Sequence, residues 1–343
     1  MIDMDDILKL ARERSATDVH IVAESPVLLR IDGELQPVTR KALTAPMARD
    51  LSYTLLTDEQ ISQFEESLDI DVMMADEDHH RYRVNVSYND GKVGAVVRLL
   101  AGTPLTLAQI QLPESVTTMT LARKGLILIT GSTSQGKTTT MAAMIDAMNE
   151  RDRKHIITIE DPIEYTHVNK QSVVRQREVG KDTSSFDKGL RAALRQDPDV
   201  IMIGEMRDYD TIKIALTAAE TGVLVMSTLH IISIDKIIER LLSYAPDGSD
   251  GHMRALMAEA LHGVIHQELL PTVDGGKRVA CEVLVSTDAI RNILRKRETF
   301  HLRNLITTGQ RYGMQTMKSS LDQLREEGEI TDLVYEAVVQ NYR

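Results

Sequence analysis

The chain has 343 residues, 42% hydrophobic and 27% charged, with a net charge of −11. The length points to two domains and the composition to a soluble, globular chain, while the acidic balance argues against a protein whose main work is gripping nucleic-acid backbone, which needs a basic surface. The single cysteine, Cys281, excludes an internal disulfide framework and any multi-cysteine metal site, as suits a reducing cytoplasm.

The opening run Met1-Ile2-Asp3-Met4-Asp5-Asp6 is acidic where a secretory leader is basic. Ile7, Leu8, Leu10 and Ala11 then predict a helix with one apolar face, ending near Ser15. Residues 27–31 and 35–38 flank Asp32-Gly33 and read as a hairpin; residues 82–87 and 95–100 flank Asn89-Asp90-Gly91 and read as a second. Ala101-Gly102-Thr103-Pro104, followed by Pro113, is the linker candidate. From Gly125 the pattern changes. Short apolar runs at 126–129, 156–159, 200–203 and 223–227 alternate with amphipathic stretches at 139–149, 186–196 and 210–221. That alternation predicts a mostly parallel sheet flanked by helices. Residues 269–273 and 279–285, around Asp274-Gly275-Gly276, predict a closing hairpin, and 288–343 is mainly helical. The apolar runs have strand length and cannot span a bilayer, so membrane association is expected through a partner, without direct insertion. With no Trp and three Phe, the core must be aliphatic.

Gly131-Ser132-Thr133-Ser134-Gln135-Gly136-Lys137-Thr138 fits G-x-x-x-x-G-K-[ST] between a predicted strand and a predicted helix. In that setting backbone N–H groups and the positive end of a helix surround phosphates. Lys137 can reach the β- and γ-phosphates and Thr138 can hold Mg²⁺. These eight residues and the following Thr139 are the candidate ATP-binding residues.

Two acidic groups end the next apolar strands, Glu160 after Ile159 and Glu205 after Gly204. Ligands of doubly wound sheets sit at the carboxyl ends of strands, so both carboxylates should face the phosphates. One can polarise the attacking water while the other helps hold Mg²⁺; spacing alone leaves open which does which, and helix capping is the bland alternative for each. His230, closing a fourth strand, is either a structural hydrogen-bonder or a γ-phosphate contact. Arg81 and Arg83 share one strand face, Arg98 lies on the paired strand, and Arg191 and Arg195 are spaced for one helix face. Phosphoryl transfer uses such guanidinium groups, although most arginines are solvated or salt-bridged.

Together these residues resemble the type II/IV secretion ATPase superfamily, and within it the retraction ATPases of type IV pili. The Walker A run is residues 131–138. The family's acidic box resembles Thr158-Ile159-Glu160-Asp161-Pro162-Ile163-Glu164, and its Walker B resembles residues 194–200 running into Gly204-Glu205-Met206-Arg207-Asp208. The His box resembles Ala218-Ala219-Glu220-Thr221-Gly222 through Thr228-Leu229-His230, and Gln176-Arg177-Glu178-Val179 also fits. Ala289-Ile290-Arg291-Asn292-Ile293-Leu294-Arg295 and Gly313-Met314-Gln315-Thr316 resemble segments of the retraction branch.

The resemblance implies an α/β chain with a PAS-like N-terminal domain (1–102), a linker (103–114) and a RecA-like ATPase domain (115–343), whose core ends near 285 and whose helical part covers 286–343. It implies a cytoplasmic homohexamer at the inner-membrane face of the pilus machine, acting on an inner-membrane platform protein and not on nucleic acid. It makes Glu160 the general base, places Glu205 at Mg²⁺ and water, and raises His230 to a γ-phosphate contact. Arg83 and Arg98 match positions that reach nucleotide from the N-terminal domain, and Arg191 and Arg195 match the helix pair close to it. Three departures stand out: Val223 replaces a histidine of the His box, Ile231-Ile232-Ser233 replaces small polar residues, and Gln135 replaces a small residue before Gly136. The competing readings are an accessory retraction ATPase, a RecA-like nucleic-acid motor and a regulator that binds nucleotide without hydrolysis.

Overall fold

The computed structural model describes residues 3–31, 33–76, 80–100, 102–246 and 248–342. The expected turn residue Asp32, linker residue Ala101, and terminal residues Met1, Ile2 and Arg343 lie outside them. The chain forms two compact units, Met1–Thr103 and Pro104–Arg343.

The first unit is built on a six-stranded sheet. Its strands are β1 (Asp18–Ile21), β2 (Leu28–Ile31), β3 (Glu34–Pro37), β4 (Asp69–Ala75), β5 (Arg81–Asn89) and β6 (Lys92–Leu99), in the order β3-β2-β1-β6-β5-β4, and every neighbouring pair is antiparallel. The β5–β6 turn has Asp90 and Gly91 both at positive φ (51° and 69°), the twist that suits a two-residue hairpin. Burial alternates along β5 and β6, so Tyr82, Val84, Val86, Ala95 and Val97 enter the core. There they meet Ile7, Leu8 and Ala11 of the helix Met4–Glu13, and Phe64 of the helix Asp58–Ser67. Strands β1 and β4 are too short or too acidic to stand out by periodicity, and neither was expected.

The second unit is built, among the described residues, on a seven-stranded sheet: β7 (Gly125–Thr130), β8 (His155–Glu160), β9 (Val173–Glu178), β10 (Val200–Glu205), β11 (Leu224–Leu229), β12 (Leu261–Pro271) and β13 (Lys277–Val285). Their order is β13-β12-β7-β11-β10-β8-β9; all pairs are parallel except β12–β13. β7 and β11 are buried at every position because helices cover both faces. Leu126, Leu128, Ile157, Ile201 and Val225 pack against helices Phe186–Ala193 and Tyr209–Thr221. Ile127, Ile129, Ile156, Met202 and Met226 pack on Met141, Met144, Ile145 and Met148 of the helix Lys137–Arg151. The aliphatic core expected from composition is what fills both layers.

The closing hairpin starts at Leu261, eight residues before its expected start at Leu269, because β12 pairs with β7 as well as with β13. Residues 104–114 carry a short helix, Leu107–Ile110, that packs with this unit. The C-terminal helices Met317–Glu326 and Asp332–Val339 cover Leu270 and Ala280 of the hairpin. Among the described residues no helix is long and apolar enough to cross a membrane.

Candidate functional site

The phosphate loop follows β7 and opens the helix Lys137–Arg151. Gly131 (φ 148°) and Gly136 (φ 76°) adopt backbone that a side chain disfavours, and a Cβ on Gly131 would lie 2.6 Å from the Gln267 carbonyl oxygen. Ser132, Thr133 and Ser134 are exposed at the tip. The 15-residue helix behind them concentrates partial positive charge at Lys137 and Thr138. Lys137 is 7% exposed, and its ammonium donates to the carbonyls of Gly131 (3.0 Å) and Ser132 (2.5 Å). Burial pulls the Lys137 ammonium below its usual range, and the carboxylates of Glu205 and Glu164 oppose that. Thr139 faces sideways, its hydroxyl 2.8 Å from that of Tyr165.

Both acidic candidates stand at strand ends, Glu160 closing β8 and Glu205 closing β10. Capping explains neither of them: Asp208, not Glu205, caps the next helix by accepting the Thr211 N–H at 2.8 Å. A register shift between Ile203 and Glu205 bulges β10 at Gly204, whose carbonyl accepts the Thr228 hydroxyl at 2.5 Å. Glu205 thereby lies within electrostatic reach of Lys137, 3.8 Å from His230 Nε2 and 2.5 Å from the Arg207 guanidinium. Glu160 is 4% exposed; its Oε1 accepts the Thr158 hydroxyl (2.6 Å) and the Gln176 amide (3.0 Å). Those two donors orient a buried carboxylate. Gln176 comes from β9, a strand the apolar pattern does not reveal because it reads Val-Val-Arg-Gln-Arg-Glu.

His230 directly follows β11, with Nδ1 3.4 Å from Lys137 Nζ. Burial and the Lys137 cation hold its imidazole below the usual range, with Glu205 opposing and Arg207 adding to the effect. Lys137, Glu205 and His230 therefore form one contiguous group. Val223 sits just before β11, at the other end of a strand that covers roughly 20 Å. Its N–H donates to Ala218 O and its carbonyl accepts the Gly125 N–H. The altered position of the His box is thus a helix-to-strand junction, remote from the phosphate loop.

The arginines divide differently. Arg83 and Arg98 are direct cross-strand partners on the outward face of the first unit's sheet. Arg98 pairs with the buried Asp18 at 2.9 Å and Arg83 with Asp71 at 3.5 Å, which offsets the repulsion of two like charges set side by side. Arg81 shares β5 with Arg83 and is half-buried. Arg191 is exposed near the end of the helix Phe186–Ala193. The expectation that Arg195 continues that helix is corrected. The helix ends at Ala193, Arg195 N–H reaches back only to Ala192 O, and Asp197 at φ 52° before Pro198 turns the chain into β10. Arg195 is exposed in that turn, beyond the end of the helix that carries Arg191.

The arrangement suits a triphosphate and a hard cation: a glycine-shaped cradle, a lysine, two carboxylates and the Thr138 hydroxyl at the carboxyl ends of parallel strands in one sheet. The family model "Type II/IV secretion system protein" matches residues 1–334. The chain is 38% identical over 330 residues to the type IV pilus retraction ATPase PilT of Pseudomonas aeruginosa, covering 96% of each protein. It is 36% identical over 331 residues to the type IV pilus ATPase PilU of the same organism, covering 96% of this chain and 87% of that one. The solved structure of the pilus retraction motor PilT with bound ADP superposes with a TM-score of 0.89 at 38% identity, covering 98% of this chain and 97% of that one. The chain belongs to the type II/IV secretion system protein family and is a PilT-like ATPase of that family.

Proposed function

We propose that the chain is the subunit of a cytoplasmic homohexameric motor that hydrolyses ATP at the inner-membrane face of a type IV pilus machine and drives pilus retraction through an inner-membrane platform protein. The observation that carries the reading is the convergence of Lys137, Glu205 and His230 beside a phosphate loop, with an oriented Glu160 on the neighbouring strand. In this reading Lys137 binds the β- and γ-phosphates, and the backbone of residues 131–136 surrounds them. Glu160, its carboxylate aimed by Thr158 and Gln176, takes the proton of the attacking water. His230, held neutral, contacts the γ-phosphate. Thr138 and Glu205 would hold Mg²⁺, which when bound neutralises phosphate charge. The guanidinium groups of Arg83, Arg98, Arg191 and Arg195 supply positive charge to the nucleotide, some of them across a subunit boundary.

The test is phosphate release by the purified protein beside its Glu160→Gln and Glu205→Gln variants, with particle mass measured in the same buffer. A turnover drop of about a hundredfold or more in a variant, from a particle of six chains, supports the motor. A monomer with full activity would sink the ring. The second reading, an accessory retraction ATPase, is favoured by the likeness to PilU and by Val223. Retraction restored by this protein alone in a strain lacking other retraction ATPases would exclude it.

A further inference from the structure

β7 and β12 run side by side until Thr130 faces His266. There β7 stops and the chain enters the phosphate loop, while β12 continues to Pro271 with β13 along its other edge. A strand that loses its neighbour leaves backbone groups in need of partners. The loop itself supplies them. The Gln135 side-chain carbonyl accepts the Leu269 N–H, and the Gln267 side-chain amide donates to the Gln135 backbone carbonyl at 2.6 Å. The two glycines complete the fit, since a Cβ on Gly136 would lie 3.3 Å from Gln267 Nε2 and one on Gly131 closer still to the Gln267 carbonyl. Between them Ser134 holds φ 64°, a left-handed conformation costly for a residue with a side chain and kept only where its surroundings impose it.

We propose that Gln135, seconded by Gln267, is a positioning residue that continues the β7–β12 ladder through a side chain and holds the phosphate loop in its binding shape before nucleotide arrives. The departure from a small residue at this position then has a physical role. A loop already shaped by β12 does not have to be ordered by its ligand, so the clamp strengthens nucleotide binding. Because the loop is equally ordered in the bound ground state and in the transition state, the effect falls on KM and not on kcat. The kinetic part of this inference rests on the ATPase reading; the structural part does not.

The experiment compares the full-length protein with Gln135→Met, Gln267→Met and the double variant. It measures steady-state phosphate release, together with hydrogen exchange of the Leu269 amide in the absence of nucleotide. Methionine keeps the length and removes the amide. Gln135→Met is expected to raise KM for ATP about tenfold with kcat within about twofold, and to speed Leu269 exchange about tenfold, the scale of one hydrogen bond. The double variant should be no worse than Gln135→Met, because both side chains serve one clamp. Gln135→Glu, which keeps the acceptor, should retain the slow Leu269 exchange. Unchanged exchange in Gln135→Met, or a fall in kcat at constant KM, overturns the proposal. Absence of turnover in the unmodified protein would count against the ATPase reading alone, and the exchange result would still decide the clamp.

Discussion

The two sheets of this protein carry their charged side chains in opposite ways. In the first unit the antiparallel strands alternate, so arginines sit mid-strand: Arg83 and Arg98 face outward while Val84 and Val97 beside them are fully buried. In the second unit the central parallel strands are covered on both faces, and no mid-strand position is open to a ligand. The candidate site residues Glu160, Glu205 and His230 stand at or just past strand ends. A sheet open on one face can change a surface residue without touching its core. A sheet closed on both faces keeps its framework and its site in separate positions along the same strand.

That contrast can be broken at several points. The largest effect is expected mid-strand in the closed sheet. Leu128→Ala should cost about 3–4 kcal/mol in denaturant unfolding, because Leu128 is fully buried between layers. At the end of another strand of the same sheet, Glu160→Gln keeps the shape and should lower phosphate release at least about a hundredfold, equivalent to about 2.7 kcal/mol, while leaving the melting temperature nearly unchanged. A large melting shift in that variant would show that site and framework are not separable.

His266 gives a smaller, pH-dependent effect. It is fully buried on β12, with ring nitrogens 3.1 Å from the Thr130 hydroxyl and 2.9 Å from the Tyr342 hydroxyl. Burial, with the Lys137 cation adding to it, lowers its pKa to about 4. The unfolded chain therefore takes up the proton first. The stability from neutral His266 is complete above about pH 6.5 and is lost as pH falls toward 4. Between pH 7 and pH 5 the loss should be about 2 kcal/mol, and His266→Gln should remove that part of the slope. The smallest effect on stability is expected on the open face. Arg98→Ala should change unfolding by less than about 1 kcal/mol, because its pair with Asp18 is largely exposed on the arginine side. If Arg98 serves the nucleotide, turnover should nevertheless fall about tenfold; equal turnover would assign the residue to the ladder Asp18–Arg98–Arg83 alone.

Much of the second unit was legible because its strands are short apolar runs between amphipathic stretches. Glu160, Glu205 and the phosphate loop could be placed at carboxyl ends from that alternation alone. β9 was not, since four of its six residues are polar or charged, and with it went the Gln176 bond to Glu160. The start of β12 was missed for a similar reason: Leu261-His262-Gly263-Val264-Ile265-His266 lacks a turn signal before it and follows a helix directly. Arg195 looked helical because spacing cannot register a turn closed by bonds back to Ala192 and Ala193.

What the amino-acid order determined by itself was local: which residues could cradle a phosphate, which acids follow an apolar strand, and which hairpin turns tolerate positive φ. Those properties depend on neighbours within a few residues. Tertiary structure alone decided how distant segments meet. His230 approaches Lys137 from 93 residues away, Gln176 crosses from a hidden edge strand to Glu160, and Gln267 fastens a loop 132 residues earlier. Such contacts depend on strand order, and strand order follows from covering both faces of one sheet, a requirement that no stretch of sequence states on its own.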